Sequence, residues 1–406
     1  MSNFKVSSLL ANVANLRKNR TLLAISISEL LRVMGRSGGW IFIPIYLITI
    51  RDVSFFTVGV LFFISSAFTI PTSIYGGNLI DRFGRKKMAV LLPPLLMIVY
   101  STISASIYFN YSIFLIFAAF ISIGPLSSIQ GITDTVMVTD TTAEKDRINA
   151  YSLVRIAANI GFSIGPALGG LVVIFNYSYV TIIPAIGTIA ELFLYVRFVN
   201  ETLPPRKPEN VKRRTISFPY EDKLFIIIGF LLAMSSFAVG PWEYILNQFF
   251  SRAYYFSSWQ IGLLFAVNGL TVIIFQLPIN TILKNVSEMN RISLGMIIYA
   301  SSFFVIGITD NFYLLILDVI FLTFGENTIS PAMSSIIGKI APMDKRGEYF
   351  GGFSMINGVI GPFSPVFYEY LLSLFIRQFM LLWGIIAIIC VIIAVTVFLL
   401  HELKYS

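Results

Sequence analysis

The chain has 406 residues, of which 56% are hydrophobic, 15% aromatic and only 12% charged. A water-soluble protein of this length carries about twice that charge, so the composition is that of an integral membrane protein, and apolar runs of twenty residues or more exclude a β-barrel, whose strands are ~10 residues of alternating character. The net charge of +8 is spread over loops rather than gathered on one face, which argues against a nucleic-acid partner, and one cysteine (Cys390) and one histidine (His401) leave too little for a metal centre or a histidine-based triad.

The first twenty residues are polar and basic, unlike a signal peptide, so the first apolar run is expected to be a retained internal signal. Twelve apolar spans follow, near residues 21–50, 55–80, 89–109, 111–138, 148–175, 177–198, 223–250, 257–283, 291–309, 311–338, 348–376 and 377–400. Each can cross ~30 Å at 1.5 Å per residue. Basic residues cluster in the termini and alternate loops, with only Arg51, Arg252 and Arg377 in loops on the other side. By the positive-inside rule both termini face the cytoplasm of a cell membrane.

The first span carries Glu29, Arg32 and Arg36 within ~60° of one another on a helical wheel, with Trp40 on the same stripe. Facing lipid, three such charges cost on the order of 8 to 10 kcal/mol, so the stripe is expected to face the bundle interior. The plainer alternative is that Glu29 simply neutralises Arg32. Between the second and third spans lies Gly76-Gly77-Asn78-Leu79-Ile80-Asp81-Arg82-Phe83-Gly84-Arg85-Lys86-Lys87, a charged reversal that must lie outside the hydrocarbon. The fourth span offers Ser127, Gln130 and Asp134, the last near the membrane end and open to a mere interfacial role. Thr141 and Glu144 have capping-box spacing and predict a short helix start.

The fifth span places Ser152, Arg155, Asn159 and Ser163 on one face. It also reads Asn159-Ile160-Gly161-Phe162-Ser163-Ile164-Gly165-Pro166-Ala167-Leu168-Gly169-Gly170, where small residues at spacing four allow close helix approach and the proline bends the helix. Residues 199–222, with Pro204, Pro205, Pro208 and Lys212-Arg213-Arg214, read as a linker between an N-terminal six-helix half (1–198) and a C-terminal half (223–406). Across the linker, Glu243 with Asn247, Glu326 with Ser330, and Ser354 with Asn357 form polar pairs on their spans. Asp318 and Glu191 share no such stripe, and Glu369 is expected near the outer surface, solvated. A shift of 199 superposes Arg147 on Arg346, Tyr151 on Phe350 and Pro166 on Pro365, while 203 superposes Gly59 on Gly262. The halves thus read as weak repeats, with Lys284 to Arg291 a degenerate copy of the charged reversal.

The run from Gly77 through Asp81, Arg82, Gly84, Arg85 and Lys86 matches every defined position of the Gly-x-x-x-Asp-Arg-x-Gly-Arg-Lys/Arg signature, and in this the chain resembles the major facilitator superfamily. Gly161, Gly165, Pro166, Gly169 and Gly170 resemble the Gly-Pro-x-x-Gly-Gly motif of that superfamily's drug/proton antiporter branch, which implies a bias toward export. One departure is Phe120, four residues before Gly124, where that branch usually has an arginine tied to proton coupling. The resemblance implies an all-α fold of twelve transmembrane helices in two pseudo-symmetric six-helix halves that rock about a central cavity. It also implies that Asp81, with Arg82 and Arg85 nearby, latches the cytoplasmic ends.

Two functions fit. In the first, proton-coupled export of small amphipathic compounds, Glu29, Glu243 or Glu326 carries H⁺, and Gln130, Asn159 and Asn357 line the path. In the second, uptake or exchange of an anionic metabolite or sugar acid, Arg32, Arg36 and Arg155 hold the anion. An enzyme is disfavoured, since no nucleophile elbow or phosphate loop is present. No cofactor is expected, and a monomer in the bilayer is.

Overall fold

A computed structural model describes residues 19–143, 146–203, 219–342 and 345–405. The polar N-terminus, Glu144 and Lys145, and the linker's Pro204, Pro205, Pro208 and Lys212-Arg213-Arg214 lie outside the described residues.

Among the described residues the secondary structure is helical throughout: α1 (Arg20–Thr49), α2 (Phe55–Phe83), α3 (Arg85–Tyr108), α4 (Ile113–Thr141), α5 (Arg147–Val173), α6 (Tyr179–Phe198), α7 (Lys223–Tyr244), α8 (Leu246–Arg252), α9 (Ser258–Ile282), α10 (Glu288–Ile308), α11 (Phe312–Ile340), α12 (Arg346–Ile360), α13 (Phe363–Phe375) and α14 (Phe379–Tyr405). In hydrocarbon every backbone N–H and C=O must be satisfied within its own segment, which selects helices. Ten of them, with α7 and α8 taken together, are long and apolar enough to cross a membrane. The first and eleventh spans fall short of that standard for identifiable reasons. Helix α1 carries Glu29, Arg32 and Arg36, and the eleventh span is broken at Gly361-Pro362 into pieces of 15 and 13 residues.

Local chemistry places the ends. Gly84 has φ of 96°, a conformation glycine adopts without strain, and it separates α2 from α3 with almost no loop. Asp222 caps α7 by accepting from the Phe225 N–H at 3.0 Å, Ser257 and Gln260 close a capping box on α9, and Asn311 caps α11. Thr141 does not start a helix as its spacing with Glu144 suggested. It ends α4, its hydroxyl donating back to the Met137 carbonyl at 2.7 Å, a bond available to a threonine inside a helix that competes with capping.

The chain divides into two compact units, Met1–Ile43 with Phe68–Lys207, and Pro44–Ala67 with Pro208–Ser406. In the first, α3 packs on α4 and α6, and Leu22, Ile25, Ala89, Met137 and Tyr195 share one buried cluster. The glycine run of α5 lies on α1: a Cβ at Gly161 or Gly165 would run into the backbone oxygens of Leu30 and Met34. In the second unit, α10 packs on α11 and α14, and α7 on α12, α13 and α14.

Candidate functional site

Close contact between α1 and α5, which the glycines permit, leaves the charged stripe of α1 facing α4 and α6. There Arg32 meets three carboxylates. Its Nη1 donates to Asp134 Oδ2 at 2.7 Å and to Glu191 Oε1 at 3.0 Å, and its Nη2 bonds Glu29 Oε2 one turn away. Tyr195, fully buried on α6, donates to Asp134 Oδ1 at 2.8 Å, and the Gln130 amide donates to the same oxygen at 3.2 Å and to the Tyr195 hydroxyl at 3.1 Å. Gln130, Asp134, Glu191 and Tyr195 are all buried, and the Arg32 side chain is 7% exposed. A cavity of about 420 Å³, lined by Glu29, Ser128, Gly131, Asp134, Thr135 and Tyr151, opens beside this cluster.

Glu29 shares the Arg32 guanidinium with Asp134 and Glu191. Asp134 is buried and ion-paired with Arg32. Glu191, which shares no polar stripe with its helix, and Tyr195, which sequence reasoning passed over, belong to the centre of the cluster. The available signal was spacing: Glu191/Tyr195 and Gln130/Asp134 are each four residues apart and share a helix face. Arg36 is exposed, one turn beyond Arg32 and within electrostatic reach of the buried Tyr100. On α5, Arg155 is exposed and Asn159 half-buried, outside the Arg32 cluster. Phe120 is buried, with its ring stacked on Trp40 at 6.1 Å, so an aromatic pair occupies the place of the branch's arginine.

In the second unit, Glu326 Oε2 accepts from the Asn268 amide at 2.9 Å, and the same amide reaches Thr323 Oγ1 at 2.9 Å. Glu243 is exposed and hydrogen-bonded to the Tyr244 hydroxyl, and Tyr299 is buried within electrostatic reach of both carboxylates. Asn268, Thr323 and Tyr299 were not apparent in the sequence, because Asn268 and Tyr299 meet Glu326 from other helices. Asn357 is half-buried, while Ser354 only bonds back to the Phe350 carbonyl at 2.9 Å. Asp318 is buried and accepts from the Ser302 hydroxyl at 2.6 Å. Glu369 is not a solvated outer residue: it is fully buried, accepting from Gln248.

At the charged reversal Arg85, rather than Asp81, is the hub. Its side chain is 10% exposed, pairs with Asp81 at 3.2 Å and with Asp140 at the end of α4 at 2.9 Å, and Thr202 Oγ1 donates to the same Asp140 oxygen at 3.0 Å. Glu201, just past α6, accepts from the backbone N–H groups of Arg85 at 3.0 Å and Lys86 at 3.3 Å, which caps α3, and from those of Thr202 and Leu203. Partial burial works against this carboxylate's charge, but the four N–H bonds outweigh it and hold Glu201 below the ordinary carboxylate range. A Cβ at Gly84 would meet Glu201 Oε2 at 2.6 Å. Arg82 is exposed and lies over the Phe83 ring, Lys86 is half-buried, and Gly77 has nothing within 4 Å of a would-be Cβ. Pro166, Gly169 and Gly170 are buried on α5.

A family model described as the Major Facilitator Superfamily matches residues 25–292 and 225–405. The chain belongs to the Major Facilitator Superfamily. Among its relatives, the uncharacterized MFS-type transporter YqjV of Bacillus subtilis (strain 168) is 26% identical over 333 residues, covering 79% of each chain. A Na(+), Li(+), K(+)/H(+) antiporter of Planococcus maritimus is 25% identical over 75% of this chain and 80% of its own. Multidrug resistance protein 2 of Bacillus subtilis (strain 168) is 22% identical over 80% and 83%. The crystal structure of the nucleoside transporter NupG superposes with a TM-score of 0.78 at 14% identity, covering 94% of this chain and 99% of that one, a likeness of fold. The protein is therefore a multi-pass membrane transporter of the superfamily, a family that moves small molecules, and not an enzyme.

Proposed function

We propose that this transporter is a proton-coupled exporter of small amphipathic compounds. It works by alternating access between two six-helix halves (1–198 and 223–406) joined by the 199–222 linker, with twelve spans and both termini in the cytoplasm of a cell membrane, and it acts as a monomer. The observation that carries the reading is the ring of Glu29, Asp134 and Glu191 around the single Arg32 guanidinium. One guanidinium balances one carboxylate, and surplus buried negative charge is too costly to leave bare in a low-dielectric site. Protons, or a cationic substrate entering the adjoining cavity, supply the balance. Exchange of one for the other at the same carboxylates is antiport in its simplest form. Support for export comes from the α5 glycine run and from relatives named as an antiporter and a multidrug resistance protein.

Glu243 and Glu326 are proposed as further proton carriers on the opposing wall, with Asn159 and Asn357 lining the path. Asp81, through Arg85, is proposed to latch the cytoplasmic ends of the halves when the cavity faces outward. The anion reading has less to work with, because Arg32 is engaged by three carboxylates. The test is substrate-driven proton movement in proteoliposomes. An outward gradient of a cationic amphipathic dye is expected to drive proton uptake in the opposite sense, and Glu29→Gln with Asp134→Asn is expected to remove it. Dye movement with no accompanying proton movement in the wild type would end the proposal.

A further inference from the structure

Glu369 lies in α13 with none of its surface exposed. Gln248 of α8 donates to its Oε1, and its Oε2 has no hydrogen-bond partner among the described residues. The backbone of α2 covers it. A Cβ at Gly59 would stand 2.9 Å from the Glu369 Cβ, 3.0 Å from the Pro365 carbonyl oxygen and 3.0 Å from Val366 Cα, so only a residue without a side chain lets α2 come down this far. One turn to either side, Phe56 meets Tyr370 at 6.4 Å and Phe63 meets Phe363 at 5.3 Å between ring centroids. Residues 44–67 belong to the same compact unit as α13, so this cover is part of the unit's own packing.

The helices packed with α13 carry the following charged and titratable groups, and Arg51 and Asp52 precede α2 in the 44–67 segment. Helix α7 brings Glu243 and Tyr244, bonded to each other, and α8 brings Arg252, whose Nη2 donates to the Ile48 carbonyl at 3.2 Å. Helix α13 itself has Tyr368 and Tyr370, α14 has the buried Cys390, and α12 has Glu348 and Tyr349, the latter held by Asp222. Between Phe55 and Ala67, α2 has no titratable residue. No cation among the described residues forms an ion pair with Glu369. A carboxylate sealed among apolar groups and neutral donors is costly as an anion and cheap as an acid, and water reaching it reverses that preference.

We propose that Glu369 is a proton-binding site whose occupancy is set by the packing of the Phe55–Ala67 segment on α13: the proton is bound while Gly59 covers the carboxylate, and it passes to water when the segment lifts away. By linkage, whatever covering does to proton affinity, protonation does equally to covering. In the orientation proposed above this is the outer end of the molecule. The inference rests on the proton-coupled reading and deepens it by naming a carboxylate at which protons enter from outside.

The test uses the full chain in lipid nanodiscs, spin-labelled through Ser54→Cys and Ser373→Cys, both exposed, with Cys390 buried and unreactive. Pulsed dipolar distances are measured from pH 5 to 9. The wild type is expected to gain a long-distance population as pH rises, and Glu369→Gln, which mimics the neutral acid, to stay short throughout. A Glu369→Gln protein that responds to pH as the wild type does, or a wild type with no pH response, overturns the proposal. Gly59→Ala provides a second arm of opposite sign. A tenfold loss in closing equilibrium moves the midpoint about one pH unit toward acid, and an unmoved midpoint counts against the site. Dye-driven proton movement by the same protein in proteoliposomes separates the two ideas. If it is absent while the Glu369-dependent opening persists, the coupling reading falls and this site stands. If it is present while Glu369→Gln opens normally, the site falls and the coupling stands.

Discussion

The two units treat their intramembrane carboxylates in opposite ways. In the first, Glu29, Asp134 and Glu191 all converge on Arg32. In the second, Glu326, Asp318 and Glu369 accept from the neutral side chains of Asn268, Ser302 and Gln248. A fixed guanidinium makes it affordable to keep a carboxylate charged in the membrane, whereas an amide or hydroxyl satisfies the lone pairs without balancing the charge. On the function proposed above, the first cluster exchanges protons against a competing cation, and on the inference drawn from Glu369 the isolated acids of the second unit respond to hydration.

The charged turns repeat the contrast on a smaller scale. The offsets of 203 and 199 that relate the halves carry Arg85 to Glu288 and Asp140 to Lys339, and Glu288 pairs with Lys339 at 2.5 Å. The ion pair is present in both places with its charges exchanged. Lys284 to Arg291, which reads as a degenerate copy, therefore keeps the contact while losing the signature. The two pairs differ in burial, since Arg85 is 10% exposed and Lys339 is 66% exposed.

The largest effect is expected from removing the one feature the second unit lacks. Arg32→Ala leaves the buried Asp134 and Glu191 and the half-buried Glu29 without that counter-ion and is expected to destabilise by about 3 to 5 kcal/mol, read as loss of the folded fraction in denaturant titration. Adding Asp134→Asn and Glu191→Gln to it is expected to restore part of that loss, which no purely steric account of Arg32 predicts. Next comes Arg85→Ala, which removes the ion pairs to Asp81 and Asp140 and is expected to cost about 1 to 3 kcal/mol. The polarity of the second unit can be written into the first: Arg85→Glu alone is expected to be worse than Arg85→Ala, and Asp140→Lys to recover part of it, measured by thermal unfolding in detergent.

Gly84→Ala forces a side chain into a positive-φ conformation against Glu201 and is expected to cost about 1 to 3 kcal/mol. Lys339→Ala, at the exposed counterpart, is expected to cost no more than about 1 kcal/mol and to lose even that at high salt. The smallest effect is local. Glu201 is held below the usual carboxylate range, so its cap on α3 is fully present above the unfolded value of about 4.3 and is lost as pH falls through the lower folded value. Hydrogen exchange at the Arg85 and Lys86 amides, corrected for intrinsic rates, should therefore stay protected down to pH 4.3 and open below it. Glu201→Gln should abolish that pH dependence.

Much of this was legible in the sequence wherever a local rule forced it. Of the three charges on one stripe of the first span, Glu29 and Arg32 turn inward while Arg36 is exposed, and the α5 glycines admit a neighbouring backbone. The reversal at Gly84 followed from its glycine, which takes the positive φ that separates α2 from α3. What escaped depended on contacts across long stretches of chain. Glu191 stands alone in an apolar helix, and its partner is 159 residues away. Asp140 and Glu201 meet Arg85 only because α4 and the end of α6 arrive beside the turn. Glu369 was misplaced because its distance from a span end suggested water, while burial under Gly59 is set by a helix from the other end of the chain. Thr141 was misread because its hydroxyl can close a helix end as readily as open one.

In the proposed function the Arg32 cluster trades protons for a cationic substrate. Proton release on substrate binding, measured by calorimetry of the purified transporter in buffers of different ionisation enthalpy, tests that claim directly. Binding of a cationic amphipathic dye is expected to release at least one proton in the wild type and none in Glu29→Gln/Asp134→Asn/Glu191→Gln. Dye binding with an enthalpy independent of the buffer in the wild type would contradict it.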